Sequence, residues 1–252
     1  MGLERLDILV QNRFGMTRAK AQALIREGLV MDQAGRVLDK PGLRVSENTD
    51  LRLKELPRYV SRGGEKLEAA FTAFPLDVRD RVCLDVGAST GGFTDCLLQH
   101  GARLVYAVDV GYGQLDWKLR GDDRVVVLER RNIRFLEPSE LPEIPDFFTV
   151  DCSFISLRLV LPAVRRLVSP AAQGVALIKP QFEAGREQVG RGGVVRDPAI
   201  HEQVIESIRA LALELGFPGF RVIPSPLLGP AGNREFLAWL YPDLDRFVGD
   251  AP

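Results

Sequence analysis

Histidine, tryptophan and cysteine are scarce in this chain of 252 residues, which holds two, two and three of them. Three cysteines cannot all pair, and Cys83, Cys96 and Cys152 lie in apolar or helical contexts without a Cys-x-x-Cys among them. That excludes a disulfide framework and leaves reduced core thiols in a cytoplasmic protein as the expectation. His100 and His201 stand apart in sequence, no cluster has metal-site spacing, and both are expected on the surface with no metal bound. No apolar run approaches the roughly 20 residues that span a bilayer. The first ten residues, MGLERLDILV, carry early acidic groups and no cleavable apolar core. Neither secretion nor stable membrane association is expected. Charge of one sign is also lacking, since the formal net charge is −1. Its distribution is uneven: residues 1–60 hold 11 Lys+Arg against 8 Asp+Glu, and the remainder 22 against 26. A basic small module on a mildly acidic body suits contact with a polyanion through the small part.

What the chain does have is concentrated between Arg81 and Val110, RVCLDVGASTGGFTDCLLQHGARLVYAVDV. A short apolar strand is expected to end in Asp85. A turn with Gly87, Gly91 and Gly92 follows, then a helix to about His100 and a second strand, Leu104 to Val108, ending in Asp109. Glycines let a ligand approach the backbone, and a helix N-terminus offers free N–H groups. An acidic residue closing the second strand is placed to take both hydroxyls of a ribose. The order Gly87-Ala-Ser-Thr-Gly91-Gly92 misses the Gly-x-Gly-x-x-Gly of dinucleotide sites.

It resembles instead the Asp-x-Gly-x-x-x-Gly-Gly-Phe form of motif I in class I S-adenosylmethionine methyltransferases. That resemblance implies S-adenosylmethionine as cofactor, met by Asp85, Gly87, Ala88, Ser89, Gly91, Gly92, Phe93, Asp109 and Val110. Asn132 and Ile133 follow the third strand, where this class often brackets adenine, and Asp151 is expected at the same crevice.

Toward the N-terminus, Arg5 to Val10 reads as a short amphipathic helix, and Thr17 as the N-cap of a second that runs from Arg18 to Glu27. Residues 29–54 suggest a small β-ribbon with a turn at Ala34-Gly35. The stretch from Arg5 to Val45 resembles the S4 RNA-binding domain. The resemblance implies contact with structured RNA through Arg5, Arg18, Lys20 and Arg26, resting on shape and phosphates with little base reading. The expected division is an S4-like α+β domain at 1–57, a linker at 58–62, a methyltransferase domain at 63–245 and a tail at 246–252.

Three further polar positions sit at strand ends. Phe147 to Val150 runs into Asp151, Gly174 to Ile178 runs into Lys179, and Asn233-Arg234-Glu235 precedes Phe236 to Leu240, which is expected to be an antiparallel edge strand. In open parallel sheets, ligands bind beyond the carboxyl ends of the strands. Lys66 lies on a helix expected from Glu65 to Phe74, with Leu67, Ala70 and Phe71 inward. Lys66, Asp151, Lys179 and Glu235 match in order the tetrad of 2′-O-ribose methyltransferases of the FtsJ type. A ribose hydroxyl must lose its proton as it attacks a methyl group, and a lysine kept neutral by burial and a neighbouring cation can take it. The resemblance implies Lys179 as general base, influenced by Lys66, with Asp151 and Glu235 orienting the lysines and the hydroxyl. Asp151-Cys152-Ser153-Phe154 lacks the Pro-Pro of amino-methylating enzymes, and Cys152 is expected to pack rather than attack a ring. Gln181 to Glu183 and Gly190 to Val194 are expected to form a mobile segment able to close over RNA, and Ile200 to Leu215 a helix with one apolar stripe.

From residue 3 to about 242 the chain resembles the TlyA type, an S4 domain fused to an FtsJ-like methyltransferase, on RGGEKL, DVGASTGGFTD, VDCSFISL, IKPQFE and GNREF together. The fold this implies is α/β: a Rossmann-like, mostly parallel sheet with an antiparallel edge strand. The implied activity is 2′-O-methylation of cytidine in ribosomal RNA, with ribosomal RNA or subunits as partners. Two other readings stay open at this point: a membrane-active haemolysin, a label this family often carries, and a non-catalytic RNA-binding factor that keeps the cofactor for structure.

Overall fold

In the computed structural model, the described residues are 2–26, 28–54, 58–229 and 231–242. The chain divides into two compact units, Met1–Arg58 and Tyr59–Pro252.

The small unit is built from β1 (Leu3–Arg5), α1 (Leu6–Phe14), α2 (Arg18–Arg26), β2 (Val30–Asp32), β3 (Arg44–Ser46) and β4 (Leu51–Leu53). α1 begins one residue later than expected and continues to Phe14, because Leu3 to Arg5 instead pairs antiparallel with β3. The expected single ribbon is two separate two-stranded sheets, β1 with β3 and β2 with β4. Leu6, Leu9 and Val10 from α1 meet Ala21 and Ile25 from α2 over Val30, Leu38 and Leu51. At the edge of this small core Asp7 is fully buried, its carboxylate held by Arg5, Arg18 and Gln22.

The large unit opens with α3 (Gly63–Ala73), β5 (Val82–Val86), α4 (Gly92–Gln99), β6 (Leu104–Asp109), α5 (Trp117–Arg120) and β7 (Val125–Glu129). It continues through β8 (Phe147–Val150), α6 (Leu157–Leu167), β9 (Gln173–Ile178), α7 (Pro180–Glu183) and α8 (Pro198–Glu214). It closes with β10 (Gly219–Pro224) and β11 (Phe236–Tyr241). One seven-stranded sheet has the order β10-β11-β9-β8-β5-β6-β7. β9, β8, β5, β6 and β7 are parallel, and β11 runs antiparallel to both of its neighbours. The reversed strand is therefore second from the edge, with β10 outside it.

Every residue of β5, β8 and β9 is buried, as a strand covered by helices on both faces requires. Alternation divides their side chains between two cores. Leu84, Tyr106, Phe148 and Ile178 pack with α6 and α8, while Cys83, Val105, Phe147 and Leu177 pack with α3 and α4. The long apolar stripe expected for the last helix is present: Val204, Ile208 and Ala212 of α8 are buried and Ile205, Leu211 and Leu215 pack against the same core. Neither histidine is a free surface residue. His201 is buried with Nε2 3.0 Å from the Val195 carbonyl oxygen, and half-buried His100 stacks on Phe71 with centroids 3.8 Å apart. A single-letter scan sees only a polar residue at a helix end, whereas each ring is in fact packed by residues from elsewhere in the unit.

Candidate active site

The site lies where the parallel strands end. β8 stops at Val150, which puts Asp151 at its carboxyl end, and β9 stops at Ile178, which puts Lys179 beside it. In the antiparallel register Phe236 of β11 faces Ile178, so Glu235, entering β11, arrives at the same end as Lys179, leaving β9. Lys66 reaches in from the first turn of α3. The side chains resolve into two ion pairs: Lys179 Nζ lies 2.6 Å from Asp151 Oδ1, and Lys66 Nζ donates to Glu235 Oε2 at 2.6 Å. Lys179 also donates to the Ser153 hydroxyl at 2.9 Å. Lys66 and Lys179 are 12% and 9% exposed, so these pairs are shielded as surface pairs are not. All four residues line one cavity of about 250 Å³, together with Ser61, Gly63, Ser89 and Phe93.

A second cavity of about 400 Å³ shares Gly87, Ser89, Asp151 and Ser153 with the first. Its walls include Val86, Val108, Asp109, Val110, Asn132, Ile133 and Cys152. Asp109 closes β6 and is held from both sides: its Oδ2 accepts from the Ser89 N–H at 2.8 Å and its Oδ1 from the Gly111 N–H at 2.7 Å. A carboxylate has about four acceptor positions, so two remain for ribose hydroxyls. Gly87 has φ +84°, and a Cβ there would meet the Asp151 carbonyl oxygen at 2.5 Å. Only glycine lets the first turn run this close to the end of β8. A Cβ on Gly92, at the start of α4, would lie 2.8 Å from the Gly64 N of α3, so the two helix N-termini touch. An acidic anchor, an apolar slot and a glycine turn suit a nucleoside with a flexible chain, and the donor set fits S-adenosylmethionine.

Two expected contacts are displaced. β5 runs one residue past Asp85, whose side chain shares the face of Cys83 and points toward α4. There it is fully buried and lines neither cavity. Thr94 Oγ1 donates to it at 2.6 Å and Thr149 Oγ1 at 2.8 Å. Burial among neutral groups pushes its carboxyl up to about 6, against the two threonine hydrogen bonds that favour the anion. Gly91 also lines neither cavity, and its Cα faces Leu115 and Leu119. Both residues shape the turn from beneath. Ala88, Gly92 and Phe93 line the first cavity, and Val110, Asn132 and Ile133 the second. Burial pushes the Cys152 thiol up to about 12, which suits a packing role and not a nucleophile.

The segment after β9 is more firmly held than a free flap. Glu183 accepts from the Ser156 hydroxyl and the Leu157 N–H, capping α6 from outside. Asn233, 1% exposed, accepts from the Val195 N–H and donates to the Gly193 carbonyl, tying the glycine-rich stretch to the residues beside Glu235. Phe154, by contrast, is 90% exposed with φ +63° beside the first cavity's Ser153. In the small unit, Arg5 and Arg18 are engaged by Asp7, whereas Arg26 is exposed and the Lys20 side chain lies outside the described residues. Sequence spacing gave no sign of the Asp7 clamp, since its partners come from two elements.

A model of the FtsJ-like methyltransferase family matches residues 59–241. The 16S/23S rRNA (cytidine-2′-O)-methyltransferase TlyA of Mycobacterium tuberculosis is 47% identical over 240 residues, covering 94% of this chain and 89% of that protein. Hemolysin A of Brachyspira hyodysenteriae is 41% identical over 93% of this chain and 98% of its own length. Among solved structures, a protein of Streptococcus thermophilus described as a hemolysin superposes with a TM-score of 0.72. It is 49% identical and covers 97% of this chain and 90% of that one.

Proposed function

The chain belongs to the FtsJ-like methyltransferase family and uses S-adenosylmethionine as its cofactor, and from that premise we propose that it methylates the 2′-hydroxyl of a cytidine in ribosomal RNA. The carrying observation is that Lys66, Asp151, Lys179 and Glu235 line one small cavity that adjoins the nucleoside-shaped one. When bound, S-adenosylmethionine supplies an electrophilic methyl group on a cationic sulfur. Asp109 and the Gly87 turn hold its nucleoside and chain, and Ile133, Val110 and Cys152 form the apolar slot for its base. Lys179 is the acceptor for the hydroxyl proton as its neutral amine, once the proton that it holds in the ion pair with Asp151 has left to solvent. Asp151 and Ser153 fix its Nζ at the boundary of the two cavities. Lys66 and Glu235 line the same cavity as a second pair, where they position the ribose oxygen for in-line attack. The cytidine and the ribosomal target are supported by the name of the Mycobacterium tuberculosis relative.

In this reading the small unit is an S4-like RNA-binding domain. Arg26 offers a free guanidinium to phosphate. Arg5 and Arg18 shape the surface from the Asp7 clamp and present their remaining N–H groups.

The test is transfer of labelled methyl to under-methylated ribosomal subunits, comparing wild type with Lys179→Ala and identifying the product nucleotide by mass spectrometry. A 2′-O-methylcytidine that falls by about 10²–10⁴-fold in rate in the variant is expected for loss of a general base. Methylation of a base atom would overturn the tetrad assignment. Cofactor binding without transfer to either subunit would turn the reading toward a non-catalytic RNA-binding factor.

A further inference from the structure

Glu68 projects from α3 two residues after Lys66, away from the active site and toward α4. There it meets Cys96, the fifth residue of α4, and His100, which caps the same helix. Glu68 Oε2, Cys96 Sγ and His100 Nε2 all lie within 4.8 Å of one another. We propose that these three side chains form a site for a zinc-class divalent cation that joins α3 to α4.

The chemistry of the donors points to the class of ion. A thiol, an imidazole and a carboxylate together suit a borderline-soft metal, and would be a poor set for calcium or magnesium, which take oxygen ligands. Cys96 and His100 are four residues apart on one helix, so both face the same way by the helical repeat. The third ligand comes from the neighbouring helix, which makes the site a bridge and not a local loop. In tetrahedral zinc, bond lengths of about 2.0–2.3 Å put ligand atoms roughly 3.3–3.6 Å apart. Cys96 Sγ and Glu68 Oε2 are 3.9 Å apart, near that spacing already. His100 Nε2 and Glu68 Oε2 are 2.7 Å apart and must separate by under about 1 Å, breaking the hydrogen bond between them.

The surroundings are those of a supported site. Tyr59 donates its hydroxyl to Glu68 Oε2 at 2.6 Å, an outer contact that orients the carboxylate. The His100 ring lies flat on Phe71, with an interplanar angle of 4°, and this stacking fixes the direction of Nε2. Glu68 and His100 side chains are each 27% exposed, whereas Cys96 is buried. An ion therefore enters from solvent past the carboxylate and imidazole and meets the thiol last. On binding, the Cys96 thiol gives its proton to solvent and the sulfur becomes the metal's anionic ligand. The ion's role is to hold α3 against α4. Because α3 carries Lys66 and α4 opens at Gly92, the two helices so joined both border the catalytic cavity.

The experiment is a spectroscopic titration of the full chain, freed of metal by chelator, with Co²⁺ and then Zn²⁺. One equivalent of Co²⁺ should produce a near-ultraviolet thiolate-to-cobalt band and intense visible bands of four-coordinate geometry, both removed by one equivalent of Zn²⁺. His100→Gln, a change at a partly exposed position, should weaken binding by at least about tenfold while far-ultraviolet dichroism stays unchanged. Cys152→Ser should leave the bands intact. Thermal melting adds an independent readout, with Zn²⁺ raising the midpoint of the wild type and not of His100→Gln. Absence of a thiolate band, its survival in His100→Gln, or its loss in Cys152→Ser would each overturn the proposal. The cluster would then be a hydrogen-bonded chain from Tyr59 through Glu68 to His100. Cys96→Ser should remove the thiolate band, and should it fail to fold, Glu68→Gln, which should weaken binding, replaces it as the second ligand variant.

Discussion

Among the described residues each unit buries one aspartate completely, and the two are treated in opposite ways. Asp7, in the small unit, is met by two guanidiniums and an amide, and the Arg5 guanidinium foremost holds its carboxyl well below the usual carboxylate range. Asp85, in the large unit, is met by two threonine hydroxyls and, among the described residues, by no cation, and burial raises it to about 6. The small core has few apolar side chains, so an ion cluster that pins β1, α1 and α2 together forms part of its interior. The large sheet has apolar burial to spare and can carry a carboxyl at a cost, beneath the glycine turn that follows β5. One aspartate strengthens its unit. The other weakens it and shapes a site.

The comparison is sharpened most by Asp85→Asn. A group whose folded value is raised binds protons more readily when folded, so stability is greatest below the unfolded value near 4 and declines as pH rises through about 6. The shift corresponds to roughly 3 kcal/mol at neutral pH. Wild-type unfolding midpoints, measured by calorimetry from pH 4 to 7, should show that decline for the large unit, and the variant should remove it. An unchanged profile would mean that Asp85 is not the group responsible.

Asp7→Asn should act with the reverse sign. Its depressed folded value gives stability that is present above pH 4 and fades as pH falls toward the folded value. At neutral pH the variant should cost the small unit about 2 kcal/mol through lost charge-assisted hydrogen bonds, visible as faster amide exchange in α1 and α2. If exchange there is unaltered, the clamp does not hold the unit.

Arg18→Ala should be milder, about 1 kcal/mol, because Arg5 and Gln22 still hold Asp7 and the Arg18 side chain is half exposed. It should also reduce the affinity for ribosomal RNA. Arg26→Ala should leave every melting profile unchanged and affect only RNA, lowering the slope of log affinity against log salt by about 1. Equal effects of the two substitutions on stability and on RNA would erase the distinction between clamped and free arginines.

How much of this could be read from the chain varies by region. The alternation of apolar strand and polar end residue placed Asp109, Asp151 and Lys179 correctly, because a parallel sheet puts such residues at one edge wherever its strands stop. Asp85 misled by one position. The strand continues to Val86, and a single added residue moves a side chain from the crevice to the opposite core. β1 was hidden because three residues, Leu-Glu-Arg, carry no periodicity of their own and become a strand only against β3. The Asp7 clamp and the Glu68–Cys96–His100 cluster were invisible for the same reason: their members come from different elements, brought together by helix packing that local spacing does not encode.

The register between β9 and β11 has a consequence for synthesis. Lys66 and Glu235 are 169 residues apart in the chain yet in contact, and Glu235 comes to Lys179 only by the antiparallel pairing of β11. A nascent chain can already have formed the glycine turn and the nucleoside cavity while still on the ribosome. It lacks one wall of the reaction chamber until β11 emerges and inserts between β10 and β9. Every residue that lines the nucleoside cavity precedes Leu161, whereas the lining of the first cavity is complete only once the chain has been made through Glu235.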